Sequence, residues 1–434
     1  MMPRVYQDGK RLLSQPEKEN SNMSLDWRKR VVFLARLMPF QMNRFSVRLE
    51  PLPKKPSPEL DVDGTRLLFK TKDVSIVINT LTGFLDSYLV GGKEYIRPGA
   101  CVPLVVDDYD DSWGATRFSY RDVVAPFSLL PVAEGSSFSG LTSPLPSVRI
   151  IEDGDVRTVV EVLLGYSESR ICMRYKLPKS GTEIEIEMII QWNEKSKMLK
   201  FSLPTALCNS KYVGQTAYGI DTLFIDGRET VSQGWAAAVS NDGNCFTINK
   251  SGIYGSDFLD GEIRLSLLRS PGYACADMSQ FELGKGRPLM PTDRYSPRID
   301  QGEHFIKLRI HAGPTRDRLS AIERECDVFQ EKPYALSYSP PGKRAMAVNE
   351  AFVLLSDKNV QLTTLKKEER GEEYILRVYE SSGTERSAEI AFPSLGIKER
   401  IHLNSFEIKT YRLDTAQKRL TEVTLMEEPI EEGS

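Results

Sequence analysis

His304, His311 and His402 are the only histidines in a chain of 434 residues, and they bound the metal chemistry open to it. A zinc hydrolase takes about three N, O or S ligands from the protein, commonly with a local pair such as HxH or HExxH. His304 and His311 stand seven residues apart, so one continuous strand would point them to opposite faces. His402 falls in a different group of strands. Packing or surface roles suit the three better than zinc. No GxSxG elbow offers a Ser-His-Asp site. Glycosidases without a metal use two carboxylates about 5–10 Å apart, and 60 acidic residues leave many candidates. The densest group is Asp107-Asp108-Tyr109-Asp110-Asp111-Ser112-Trp113, directly after the apolar run Val102–Val106. Carboxylates there could accept hydrogen bonds from sugar hydroxyls while the indole stacks on the C–H face of a ring. The competing reading is a solvated turn whose Trp113 anchors the loop to the core. Calcium is the third, although the spacing departs from the EF-hand loop.

Three further features admit two readings each. The stretch Ser279–Pro297 carries Lys285, Arg287, Asp293, Arg294 and Tyr295; loops of this length often face a substrate or a partner, or are plain insertions. Trp235, before Ala236-Ala237-Ala238, is a sandwich-core residue or a sugar platform. Arg269, before Ser270-Pro271, is a structural partner for a carboxylate or an exposed clamp. Asp108, Asp111, Trp113, Arg287 and Arg294 are therefore the candidate sugar contacts. No residue is assigned to catalysis or to a metal.

The elements that must position these residues are strands. Period-2 alternation recurs between Gly, Asn and Asp turn signals. Glu183–Ile190 puts apolar side chains on one face and carboxylates on the other. The fold expected is mostly β, a large antiparallel supersandwich followed by a smaller β-sandwich. A Pro-rich connector, Pro51–Pro58, and a second break near Lys332–Lys343 divide the chain. The boundaries expected are a partial small β domain and linker over 1–58, the supersandwich over 59–313, a helix and linker over 314–343, a small sandwich over 344–424 and a disordered acidic tail over 425–434. One helix is expected, Thr315–Gln330, with Leu319, Ile322, Cys326 and Phe329 on one face. Near the start, Arg30–Leu37 and Phe45–Leu49 suggest a strand pair, too small for a core of its own.

The net charge of −3 conceals a basic start, with 12 Lys/Arg against 5 Asp/Glu over residues 1–56. Those cations interleave with Val, Leu, Phe and Met, which suits a docking face better than a nucleic-acid arm. No zinc-finger spacing or ribonucleoprotein motif supports nucleic-acid binding. No apolar run approaches the ~18 residues of a membrane span, and the first residues lack a signal-peptide core. Six scattered cysteines without a CxxC pair fit reduced thiols, so the address expected is cytoplasmic.

The blocks Leu203-Pro204-Thr205-Ala206, Tyr218-Gly219-Ile220-Asp221 and Gln233-Gly234-Trp235-Ala236-Ala237-Ala238 resemble the central sandwich of family-38 α-mannosidases. Gly252–Asp257, Arg264–Pro271 and Asp300–Phe305 continue the likeness in order, and Phe406–Thr410 resembles the last strand of the family's terminal sandwich. Asp26–Val31 with Pro39-Phe40 resembles the small domain before the central sandwich. The resemblance implies a galactose-mutarotase-like supersandwich and covers the family's C-terminal portion alone. It also implies that an Asp nucleophile and a zinc held by His and Asp belong to a preceding catalytic barrel, so no cofactor is expected in this chain. Three functions follow as expectations. The chain is the carbohydrate-binding and scaffold portion of an α-mannosidase, inactive by itself, with a mannoside as ligand and a separately encoded catalytic half as partner. Alternatively it is a stand-alone carbohydrate-binding module, or a metal-free enzyme of mutarotase-like type. An uncovered docking face would favour self-association.

Overall fold

The computed structural model describes residues 2–18, 30–52, 60, 62–109, 112–114, 117–272, 293–336 and 351–430. The connector over 53–59 and most of the second break lie outside them. Strands dominate, in antiparallel sheets. A ten-stranded sheet, here the large sheet, faces a five-stranded sheet (62–94) and a six-stranded sheet, here the middle sheet. Alternation decides the faces. In Ile184–Trp192 the apolar positions Ile184, Ile186, Met188 and Ile190 point inward, where they join Phe69, Ile76, Tyr88, Leu199, Phe201 and Leu265 in one continuous core.

The outer face of the large sheet carries charges in columns. Arg309 and Lys307 lie beside Glu185 and Glu187, which lie beside Lys176 and Arg174, then Glu161, then Arg149. Burial works against the charge on Glu185, but Lys176, Arg309 and Lys307 hold its carboxyl down to about 2. The outermost column sits on the edge strand Val148–Asp153, whose register shifts between Ile150 and Glu152.

The start of the chain is built differently from the pair expected. Ser46–Glu50 pairs with Met2–Gln7, and Val31–Phe33 pairs with Ser14–Pro16. The segment docks on the large sheet at the turn after Val148–Asp153. Gln15 Oε1 accepts from the amides of Val156 and Arg157, both at 2.9 Å, and Glu152 Oε1 accepts from the Lys18 amide at 2.6 Å.

Among the described residues two α-helices are present where one was expected. The unexpected one, Val132–Phe138, is two turns starting after Pro131. The other has the expected limits, Thr315–Gln330. Its Ile322 and Cys326 pack on Trp235, Ala237 and Cys245 of the large sheet, so Trp235 is buried beneath the helix rather than between the sheets. Glu323 joins three parts of the molecule. It accepts from Gln215 Nε2 at 2.6 Å, Trp235 Nε1 at 2.7 Å and the Tyr379 hydroxyl at 2.8 Å. Tyr379 belongs to the small sandwich, which contains the strands Val360–Lys367, Tyr374–Glu380, Arg386–Phe392 and Ile408–Asp414. In the described part of the acidic tail, Glu427 pairs with Lys366 at 2.8 Å and accepts from the Glu369 amide.

Lys250 is enclosed on the inner side of the large sheet. Its amine donates to Ser232 Oγ at 2.6 Å and to the carbonyls of Ser232 and Tyr254. Burial lowers its pKa to about 8, while an unfolded lysine titrates near about 10.4. Between these values the unfolded chain binds more protons, so this group's contribution to stability rises with pH. Urea titrations should show the wild type gaining on Lys250→Met as pH climbs through that window. A constant difference would show that the amine is not depressed.

Candidate functional site

The strands Val102–Asp107 and Val123–Pro126 are antiparallel neighbours at one edge of the middle sheet, and the connection 108–122 is far longer than a hairpin needs. Its described residues lie as a strap over the sheet's outer face. Tyr120 packs with Val106 and Met198, and Arg269 lies 4.8 Å over its ring. Two charge clusters pin the strap. At its start Asp108, fully buried, receives Arg269 Nε at 2.7 Å and Nη2 at 2.5 Å. At its end Arg121 pairs with Asp257 and, at 2.7 Å, with Glu262. Beneath it Lys200, also fully buried, pairs with Asp257 and Glu229. The Glu229 amide donates to the Phe118 carbonyl at 2.7 Å, and Ser119 Oγ to the Gly227 carbonyl at 2.8 Å. Gly227 needs its small size as well as its positive φ of 82°, because a Cβ there would meet Arg121 Cδ at 2.9 Å. The strap's middle faces outward. Trp113 is 69% exposed and Phe118 66%, and the Arg117 guanidinium lies 4.1 Å over the Tyr109 ring.

This arrangement differs from the solvated turn with a buried indole. The acid is inside and the indole outside. Asp108 fixes the strap through Arg269, which has the structural carboxylate partner weighed above. Asp111 and Arg287 lie outside the described residues. Arg294 is exposed and pairs with its neighbour Asp293 at 3.0 Å, so the structure does not bring it to Asp108. Sequence reasoning missed Lys200, Arg121, Glu229, Asp257 and Glu262. The available signal was a lysine between Leu199 and Phe201 in a strand that is otherwise apolar there.

The donors for a family zinc do not fit. Among the described residues no group of three His, Cys, Asp or Glu could hold a metal ion. His304 Nε2 lies 2.7 Å from the Asp300 carbonyl, His311 3.6 Å from Glu325 and His402 3.3 Å from Glu385.

Comparison with known proteins decides the lineage. The profile for the glycosyl hydrolases family 38 C-terminal domain matches residues 75–277, and that for the family 38 C-terminal beta sandwich domain matches residues 359–434. The chain belongs to glycoside hydrolase family 38. The first match spans the strap and the pairs that hold it; the second takes in most of the small sandwich. Alpha-mannosidase G of Dictyostelium discoideum is 26% identical over 399 residues, covering 80% of this chain and 32% of that protein. An alpha-mannosidase from Enterococcus faecalis V583 superposes with a TM-score of 0.69 at 13% identity, over 95% of this chain and 51% of its own. A second family-38 structure from Enterococcus faecalis gives 0.70 at 13% identity, with 95% and 52% covered. The chain thus spans about half the length of these solved relatives and a third of the curated one, and it corresponds to the family's C-terminal half.

Proposed function

We propose that this chain is the carbohydrate-contacting and scaffold portion of an α-mannosidase, with the strap as its sugar-facing element and catalysis left to a separate catalytic half. The observation that carries the reading is the strap itself, fixed at both ends by buried ion pairs while presenting Trp113 to solvent. A ring held on a rigid support offers a stacking face without an ordering cost at binding. The partner surface is assigned to the initial segment, where Leu34, Met38, Met42, Val47 and Leu49 are each exposed. Left uncovered, the same surface favours self-association.

Titration of the full chain with methyl α-D-mannoside, followed by indole fluorescence, tests the reading. Binding in the millimolar range is expected, weakened about tenfold (about 1.4 kcal/mol) by Trp113→Ala. Equal affinity in that variant would remove the strap from the sugar site, and the absence of any binding would leave the chain a scaffold alone.

A further inference from the structure

We propose that the strand Ser46–Glu50 is a pairing edge that takes the same strand of a second copy of this chain. The two run antiparallel, with Leu49 opposite Leu49 on the two-fold axis. The inference rests on the assignment of the partner surface to the initial segment, and it names what occupies that surface.

Ser46–Glu50 is the outermost strand of a three-stranded sheet, beside Met2–Gln7 and then Lys10–Arg11. Among the described residues no strand pairs with its outer side. The hydrogen bonds of Val5 show which of the strand's backbone groups are turned outward. The Val5 amide donates to Ser14 Oγ at 3.3 Å, and the Val5 carbonyl accepts from the Leu12 amide at 2.8 Å. Both face away from Ser46–Glu50, so Val47, opposite Val5, turns its own amide and carbonyl to the open edge. Leu49 repeats this two residues on, opposite Pro3, which has no amide to offer. The side chains agree. Val5 is fully buried, while Val47 and Leu49 on the same face are 57% and 60% exposed. The apolar face therefore runs on past what one copy covers.

Charge selects the occupant and the register. Outward groups of both copies must meet, which places odd-numbered residues opposite odd-numbered ones. Centred on Leu49, the pairing sets Arg48 of each copy opposite Glu50 of the other on one face. On the other face Leu49 meets Leu49 and Val47 meets Pro51. Centred on Arg48, it would set two guanidiniums against each other. Centred on Val47, it would set Arg48 opposite Ser46 and make no ion pair within the strand. Both charged side chains are already ordered. Arg48 lies 4.7 Å over the Tyr6 ring, and Glu50 accepts from the Tyr6 hydroxyl at 2.9 Å with Arg4 3.5 Å away. The strand is thus complementary to itself, and a catalytic half docking on it would compete with the second copy.

Sedimentation equilibrium of the full chain, across about a hundredfold range of concentration, should show monomer and dimer in exchange. Val47→Pro removes an outward amide and no hydrogen bond of the chain's own ladder, so it should weaken the dimer at least about tenfold. Arg48→Glu and Glu50→Lys each set like charges opposite one another and should weaken it too. An equimolar mixture of those two variants should recover dimers, because both cross-strand pairs then carry opposite charges. A monomer at every concentration, or a dimer that Val47→Pro leaves unchanged, overturns the proposal. A mixture no tighter than its components overturns the register. Failure to bind methyl α-D-mannoside while the dimer persists would count against the strap alone and leave the edge as proposed.

Discussion

Asp257→Ala should destabilise the protein by roughly 3–5 kcal/mol, because it leaves a fully buried lysine without its one fully buried counter-charge. Asp257 is shared by Lys200 from the sheet and Arg121 from the strap. Arg121 keeps Glu262, and Lys200 keeps only the partly exposed Glu229. The loss should therefore fall mainly on Lys200. Adding Lys200→Met should recover much of it, since an apolar side chain of similar length suits that environment. Urea denaturation of the single and double variants reads both numbers. Hydrogen exchange over 117–122 should quicken in Asp257→Ala as the end of the strap comes loose. A cost below about 1 kcal/mol for the single variant would mean that the charges are hydrated rather than buried.

Glu323→Ala is the second large effect, and its signature is cooperativity as much as stability. The substitution takes the acceptor from Trp235 Nε1, whose side chain is buried beneath the helix, and an orphaned donor of this kind costs about 1–3 kcal/mol. It also cuts the hydrogen bond that ties the small sandwich, through Tyr379, to the helix and the large sheet. Calorimetry should resolve one transition for the wild type and two for Glu323→Ala, with the small sandwich melting first. A single shifted transition would show that other contacts couple the units, the edge-on packing of Tyr218 against Tyr379 first among them.

Where neighbouring residues settle an element, the sequence was legible. The alternation of Glu183–Ile190 and the stripe of Leu319, Ile322, Cys326 and Phe329 each declare a buried face, and the structure forms both. Where a partner lies far along the chain, the local pattern misled. Asp108 sits in a run of acids that looks solvated, yet its counter-charge is 161 residues away. Phe45–Leu49 looked like the partner of Arg30–Leu37, whereas the strand formed there, Ser46–Glu50, is in register with Met2–Gln7. The short helix Val132–Phe138 contains Gly135 and two serines, weak helix formers that packing overrides. In the candidate site Trp113 was recognisable by type, but its exposure depends on ion pairs that no local spacing reveals.

The displaced pairing at Val148–Asp153 bears on how such a broad sheet stays in solution. An outermost strand is an invitation to any other chain with free backbone amides and carbonyls. Here the shift between Ile150 and Glu152 bends the ladder away from straight addition. Arg149 and Asp153 put opposite charges along the rim, and Gln15 and Lys18 occupy the adjoining turn and carboxylate. What serves as an anchor for the first residues is also a guard, and losing it would turn a folded sheet into a template for aggregation.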